Sequence, residues 1–236
     1  PADLISGERL QLGLSRGSPE QVIDGWKHFG HAPEPGESAA DMARRRTETF
    51  LHLLGGEGFA QPNPRPMFPN PPGLLRIEPL SEGLRDRIWW GAGSNATARW
   101  AAQMGMNLQS STLKDDETGE PFHIQQAEQI RAYRDAWAAA GHARTPRVSV
   151  SRSIFALTTD MDRRYFGRGK ESDQVGFIEE QRSIFGRGYA DEPERLIEQL
   201  KADEAIAEAD TLLLTVPNVH VMRTILTQIA PALGWR

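Results

Sequence analysis

The chain has 236 residues, 27 basic against 32 acidic side chains for a formal charge of -5, and 39% hydrophobic residues. That supplies enough apolar material for a sizeable core. The charges are spread without a basic stripe, which argues against nucleic acid as a partner, and the absence of cysteine excludes disulfides, thiolate metal sites and a cysteine nucleophile. The longest apolar runs, such as residues 212–216, are far shorter than a bilayer span, and no basic segment leads into an apolar signal core. The sequence therefore predicts a soluble, cytoplasmic protein. It begins at Pro1, in residues that read as the end of an element, so the natural N-terminus is expected upstream.

In chain order, Leu10, Leu12 and Leu14 alternate with Gln11, Gly13 and Ser15 and predict a strand ended by Arg16 and Gly17. Residues 38–54 predict a helix whose inner face carries Met42, Thr49, Phe50, Leu53 and Leu54, with Arg44, Arg45 and Glu48 toward water. The prolines of residues 61–73 require an extended loop. Residues 88–90 predict a short strand, followed from Asn95 to Met104 by a helix of small residues. A second strand–helix unit spans residues 106–111 and 121–140, with Pro121 in the first turn and Gly141 as the stop. Residues 147–159 predict a long strand, residues 192–207 a helix, residues 211–216 a near-continuous apolar strand and residues 219–233 a closing helix.

Five strands each followed by helical sequence, without hairpin signals, predict parallel β-α units in a barrel or a doubly wound sheet. In either architecture ligands sit beyond the carboxyl ends of the strands, which directs attention to residues 15–18, 91–97, 110–113, 158–162 and 217–220. At the second of these, Trp90-Gly91-Ala92-Gly93-Ser94-Asn95-Ala96-Thr97 turns from strand through glycines into a helix. Gly91 and Gly93 allow close backbone approach, Ser94 suits an N-cap, and Thr97 and the first-turn amides suit an anion. A tight turn with an ordinary serine cap explains the same residues. Arg16, at the end of the first strand, can fork onto a phosphate or stand solvated in a salt bridge.

These residues carry a family resemblance. Residues 2–17, ADLISGERLQLGLSRG, are similar to the D-x-x-S-x-G-R-x-x-x-G-x-x-R-G strand of bacterial luciferase-like flavin monooxygenases, with Glu8 in place of the usual small residue before Arg9. Residues 90–102 with Gly105 look like that family's phosphate-binding strand and helix, and residues 210–214 like its last barrel strand.

The resemblance implies one α/β domain over residues 1–236, a (β/α)8 TIM barrel represented by its fourth to eighth strands. It implies Arg16, Ser94, Thr97 and the Gly93 backbone around the FMN phosphate, Ser15 near the isoalloxazine and Ser111 lining the flavin pocket. It further implies a cytoplasmic homodimer in which reduced FMN, supplied by a flavin reductase, and O2 oxidise a small organic substrate. A catalytic histidine of the early strands would lie outside this chain. Two alternatives stay open: a deazaflavin F420 enzyme transferring hydride, and a non-catalytic subunit supporting an active partner. Residues 160–191 fit a mobile cover with glycine hinges or a plain surface loop.

The other polar candidates have plain readings. His220 follows the last strand without an evident orienting partner, His28 and His31 fit a solvated loop, His123 lies near a helix start, and Asp115, Asp116 and Glu117 read as a solvated turn.

Overall fold

The computed structural model describes residues 2–15, 27–28, 30–65, 67–168, 172–178 and 180–235. They divide into two compact units, Pro1–Trp90 and Gly91–Arg236.

The first unit opens with α1 (Ala2–Ile5) and β1 (Leu12–Leu14), continues through α2 (Ala39–Leu54) and a 3-10 turn (Leu84–Arg87), and leads into β2 (Ile88–Ala92). β1 and β2 are parallel, with Leu12 opposite Ile88, Gly13 opposite Trp89 and Leu14 opposite Trp90. Asp3, only 2% exposed, knots this unit together. Its carboxylate accepts the Leu10 N–H at 3.0 Å, the Arg87 guanidinium at 2.5 Å and the Ser81 hydroxyl. The Ser81 hydrogen bond, outweighing burial together with the Leu10 and Arg87 contacts, holds the Asp3 carboxyl below its ordinary value.

α2 starts where Ser38 predicts, with the serine side chain accepting the Asp41 N–H. Its buried stripe differs from the expected one, however. Met42, Thr47, Leu51 and Leu54 are buried, whereas Thr49 is exposed. At about 100° per residue Thr47, Leu51 and Leu54 fall within about 60° of one another, and Thr49 lies on the opposite side of the helix from them. The proline-rich loop is pinched at its base, where Ala60 and Leu75 form an antiparallel bridge.

In the second unit, α3 (Asn95–Gln103) follows β2, then β3 (Asn107–Ser110), β4 (Leu113–Asp115), α4 (Phe122–Ala140) and β5 (Val148–Ala156). After α5 (Asp160–Phe166) come β6 (Gln174–Ile178), β7 (Gln181–Phe185), β8 (Tyr189–Asp191), α6 (Pro193–Lys201) and α7 (Glu204–Glu208). β9 (Thr211–Thr215), α8 (Val219–Thr224), a π-turn (Ile225–Ile229) and α9 (Ala230–Ala232) complete the unit.

β5 is the hub of the parallel sheet. It pairs with β3 at Val148 and Ser149, with β9 from Ser149 to Ser153, and with β8 from Ile154 to Ala156. Ile154, Tyr189, Leu196, Leu200, Val221, Ile225 and Ile229 pack into one cluster over its far half. The alanines Ala98, Ala101 and Ala102 are fully buried, and α3 packs closely on α4 as its small residues predict. The π-turn precedes Pro231, whose ring and missing N–H disfavour a regular turn there.

Two expectations need correction. β6 and β7 pair antiparallel, Gln174 to Ile178 against Gln181 to Phe185, and β4 joins them as a third strand. The β-branched and aromatic residues there mark strands, but Glu180, which takes a positive φ of 65°, replaces the usual glycine or asparagine turn signal. Residues 192–207 are two helices, because Asp203 turns out of α6 to cap α7 by accepting the Ile206 N–H. β9 is only partly covered, with Leu213 49% exposed. Among the described residues no helix is long and apolar enough to cross a membrane.

Candidate functional site

The site of interest lies where β2 passes into α3. The Gly93 carbonyl accepts the Asp115 N–H at 2.8 Å and the Ala92 carbonyl the Ser111 N–H at 3.1 Å, so the turn is fastened beside β4. Ser94 is extended and caps α3, its hydroxyl accepting the Thr97 N–H at 3.3 Å and lying in a short hydrogen bond with the Thr97 hydroxyl. A Cβ on Gly93 would make only an ordinary contact with the Leu113 carbonyl at 3.5 Å. Among the described residues no packing contact requires a glycine here.

The open donors of the helix start already meet an anion. Asn95 N–H donates to Glu117 Oε1 at 3.2 Å, while the other oxygen of the same carboxylate accepts from Lys114 Nζ at 3.2 Å. The Lys114 side chain is fully buried, and its ammonium also donates to the Asp115 carbonyl at 3.1 Å. The buried Asn95 Oδ1 has no hydrogen-bond partner among the described residues. Helix-terminal N–H groups, two hydroxyls and a buried ammonium are a donor set suited to an oxyanion.

The neighbouring charge run is not the solvated turn that its composition predicts. The Asp116 side chain is only 1% exposed and takes Gln125 Nε2 at 2.7 Å, Arg182 Nε at 2.5 Å and the Gly119 N–H at 2.9 Å. The Gln125 bond chiefly, with Arg182 and Gly119, holds its carboxyl below the ordinary value despite partial desolvation. Gln125, Gln126 and Gln129 are all buried on α4, and Gln126 Oε1 and Gln129 Nε2 have no partner among the described residues.

The remaining sequence candidates fall as follows. Ser111 forms a turn: its hydroxyl accepts the Leu113 N–H at 3.2 Å and its carbonyl accepts Gln126 Nε2 at 2.9 Å. Ser15 is exposed just beyond β1, in the first unit. Arg16 lies outside the described residues. Among the described residues no group of three or more His, Asp or Glu side chains is placed to hold a metal ion.

His220 does have an orienting partner, contrary to the sequence expectation. Its Nε2 lies 2.8 Å from Thr158 Oγ1, whose own distance to Asp162 Oδ2 is 3.2 Å. Asp162 also accepts the Thr158 and Thr159 N–H groups and the Thr159 hydroxyl, the last two at 2.9 and 2.8 Å. Burial works against its charge, but these bonds, led by those from Thr159, hold its carboxyl below the ordinary value. Residues 158 and 220 follow β5 and β9, so both lie at carboxyl ends of parallel strands. Sixty-two residues of separation left no local signal of the pair.

No known family pattern and no curated protein matches the chain. Solved structures do. A monooxygenase from Streptomyces bottropensis superposes with a TM-score of 0.62 at 17% identity, covering 97% of this chain and 70% of its own. The FMN-bound oxygenating constituent of 3,6-diketocamphane monooxygenase from Pseudomonas putida gives 0.58 at 14% identity, over 97% of this chain and 72% of its own. The fold is that of the luciferase-like flavin enzymes. A coenzyme F420-dependent tetrahydromethanopterin reductase from Methanopyrus kandleri gives 0.55 at 13% identity, over 96% of this chain and 75% of its own. At these identities it is the luciferase-like fold that is shared, and the chain spans about seven-tenths of each of these proteins' length.

Proposed function

We propose that the chain is part of an FMN-dependent, luciferase-like monooxygenase of (β/α)8 barrel type, a single domain whose turn from β2 into α3 holds the flavin phosphate. The observation carrying this reading is the donor set there: the Ser94 and Thr97 hydroxyls and the Asn95 N–H at the start of a nine-residue helix, beside a glycine at position 93. The buried, unpartnered Asn95 Oδ1 suits a donor from a bound ligand, such as a ribityl hydroxyl. Arg16 and Ser15 are assigned to phosphate and isoalloxazine on the sequence resemblance, and Ser111 to the pocket wall.

Bound reduced FMN would supply two electrons to O2, one of whose oxygen atoms would pass to an organic substrate while the other leaves as water. The chain's own residues then have the tasks of binding the phosphate, orienting the ring and excluding water. A flavin reductase as electron supplier and a homodimeric, cytoplasmic enzyme complete the proposal. A second reading, F420-dependent hydride transfer, is favoured by the likeness in fold to the tetrahydromethanopterin reductase.

The test is titration of the protein with FMN, reduced FMN, riboflavin and F420, followed by flavin fluorescence. The FMN reading expects tighter binding of FMN than of riboflavin, because only FMN carries the phosphate. A preference for F420 would replace oxygenation by hydride transfer. Failure to bind any of them would leave a non-catalytic supporting subunit.

A further inference from the structure

We propose that Glu117 is a built-in stand-in for the flavin phosphate, and that a bound phosphate displaces it and takes over Lys114 as its counter-ion. This rests on the reading of the α3 start as the phosphate seat.

Three observations carry it. Glu117 spans two donors with its two oxygens, Oε1 on Asn95 N–H at 3.2 Å and Oε2 on Lys114 Nζ at 3.2 Å. Two oxygens of one phosphate have a similar span and can make the same pair of contacts, with more negative charge. Second, the Lys114 side chain is fully buried while that of Glu117 is 29% exposed. The cation is fixed in place, and the carboxylate has access to solvent into which it can swing. Third, among the described residues Glu117 has its carboxylate hydrogen bonds with Asn95 and Lys114 and no second cation. Its backbone N–H is anchored on Gln125 Oε1 at 3.2 Å, which ties the main chain and leaves the side chain free to leave.

The physical consequence is a competition. A buried ammonium left without a counter-charge is costly, so Glu117 satisfies Lys114 and the helix start while no ligand is bound. An arriving phosphate must evict a carboxylate, and afterwards sits near it, so the eviction weakens phosphate affinity. A ligand without a phosphate does not enter this seat and is insensitive to Glu117. Lys114 and Glu117 thereby add a specificity check: only an oxyanion able to satisfy both donors replaces the one already present.

The experiment compares the intact chain with Glu117→Gln and Lys114→Met in FMN and riboflavin titrations, with thermal melts in inorganic phosphate. In Glu117→Gln, FMN binding should tighten roughly tenfold with riboflavin unchanged, since the competing charge is gone while the amide oxygen still accepts from Asn95. The same variant should gain more melting temperature from phosphate than the parent, because phosphate restores a counter-charge to Lys114. In Lys114→Met, FMN should weaken and riboflavin should not. Should Glu117→Gln not fold, Glu117→Asp withdraws the carboxylate by one methylene, and a smaller gain in FMN affinity is expected.

Equal FMN affinity in parent and Glu117 variants, or weaker FMN binding in them, overturns the displacement while leaving the phosphate seat intact. If no variant and not the parent itself distinguishes FMN from riboflavin, the phosphate seat fails, and the displacement fails with it.

Discussion

Arg152 and Asp203 face each other as a two-pronged pair inside the second unit, Nε to Oδ2 at 2.7 Å and Nη2 to Oδ1 at 3.0 Å, with side chains 3% and 0% exposed. Tyr189 adds its hydroxyl to Oδ2 at 2.6 Å, and the Phe122 ring lies 5.7 Å from the guanidinium. The pair joins the middle of β5 to the break between α6 and α7. Arg152→Met should therefore destabilise the second unit by about 3–5 kcal/mol, the cost of leaving a buried carboxylate unpaired. Urea unfolding followed by circular dichroism measures it. Arg152→Met combined with Asp203→Asn should recover part of the loss.

The same pair sets a pH dependence. Burial alone would raise the Asp203 carboxyl, but the Arg152 and Tyr189 bonds outweigh it and the carboxyl is held below its ordinary value. A carboxyl lowered by folding stabilises fully above its unfolded pKa, about 3.9, and loses that contribution as pH falls through the lower folded value. Asp116 behaves likewise. Stability should thus fall below about pH 4, and Asp203→Asn should flatten the fall while lowering stability at neutral pH. Urea midpoints at pH 7, 4 and 3 decide this, and an unchanged slope in the variant would exclude Asp203 as a source.

At the start of α3, Ser94→Ala removes the cap and should cost about 1 kcal/mol of stability. Under the phosphate reading it should also weaken FMN more than riboflavin. A melting curve and two flavin titrations separate the two effects, since a loss of cap alone leaves the FMN-to-riboflavin ratio unchanged.

Under the phosphate reading, which for Arg16 rests on the sequence resemblance, Arg16→Ala should weaken FMN by roughly 1–3 kcal/mol, the order of a hydrogen bond to a charged group. Unchanged affinity would remove Arg16 from the phosphate site.

The Thr158 hydroxyl carries one proton between two acceptors. If it goes to the Asp162 carboxylate, Thr158 accepts from His220, which fixes the proton on Nε2 and leaves Nδ1 basic. Nitrogen-correlated NMR of neutral His220 should show the Nε2–H tautomer, and Thr158→Val should shift the balance between tautomers. A protonated Nδ1 in the parent would reverse the direction of the chain of bonds.

Much of the β-α order was legible from the sequence because burial leaves a local trace. The alternation at residues 10–14, the small residues of α3 and the β-branched run of β5 all predicted their elements, with boundaries displaced by a few residues. Other features depend on partners far along the chain. The helix break at residue 203 exists because Arg152, fifty-one positions earlier, needs a buried carboxylate. Lys114 looks like a surface lysine in an acidic turn, yet it is buried, on a strand that pairs with β7 and is bonded to the Gly93 turn. Ser94 and Thr97 could be picked out as a cap because they are three residues apart. The carboxylate opposite them, twenty-two residues from Asn95, could not.

The nine residues of β5 bear on how the second unit comes apart. β3, β9 and β8 each take their parallel pairing from this one strand, the first two near its start and the last at its end. Fraying of any one partner leaves the others in place, whereas opening β5 takes the parallel partner from β8 and β9 together and one of two strand neighbours from β3. Its central amides should therefore exchange with solvent only through opening of the whole unit, and their protection against deuterium would give its global free energy directly.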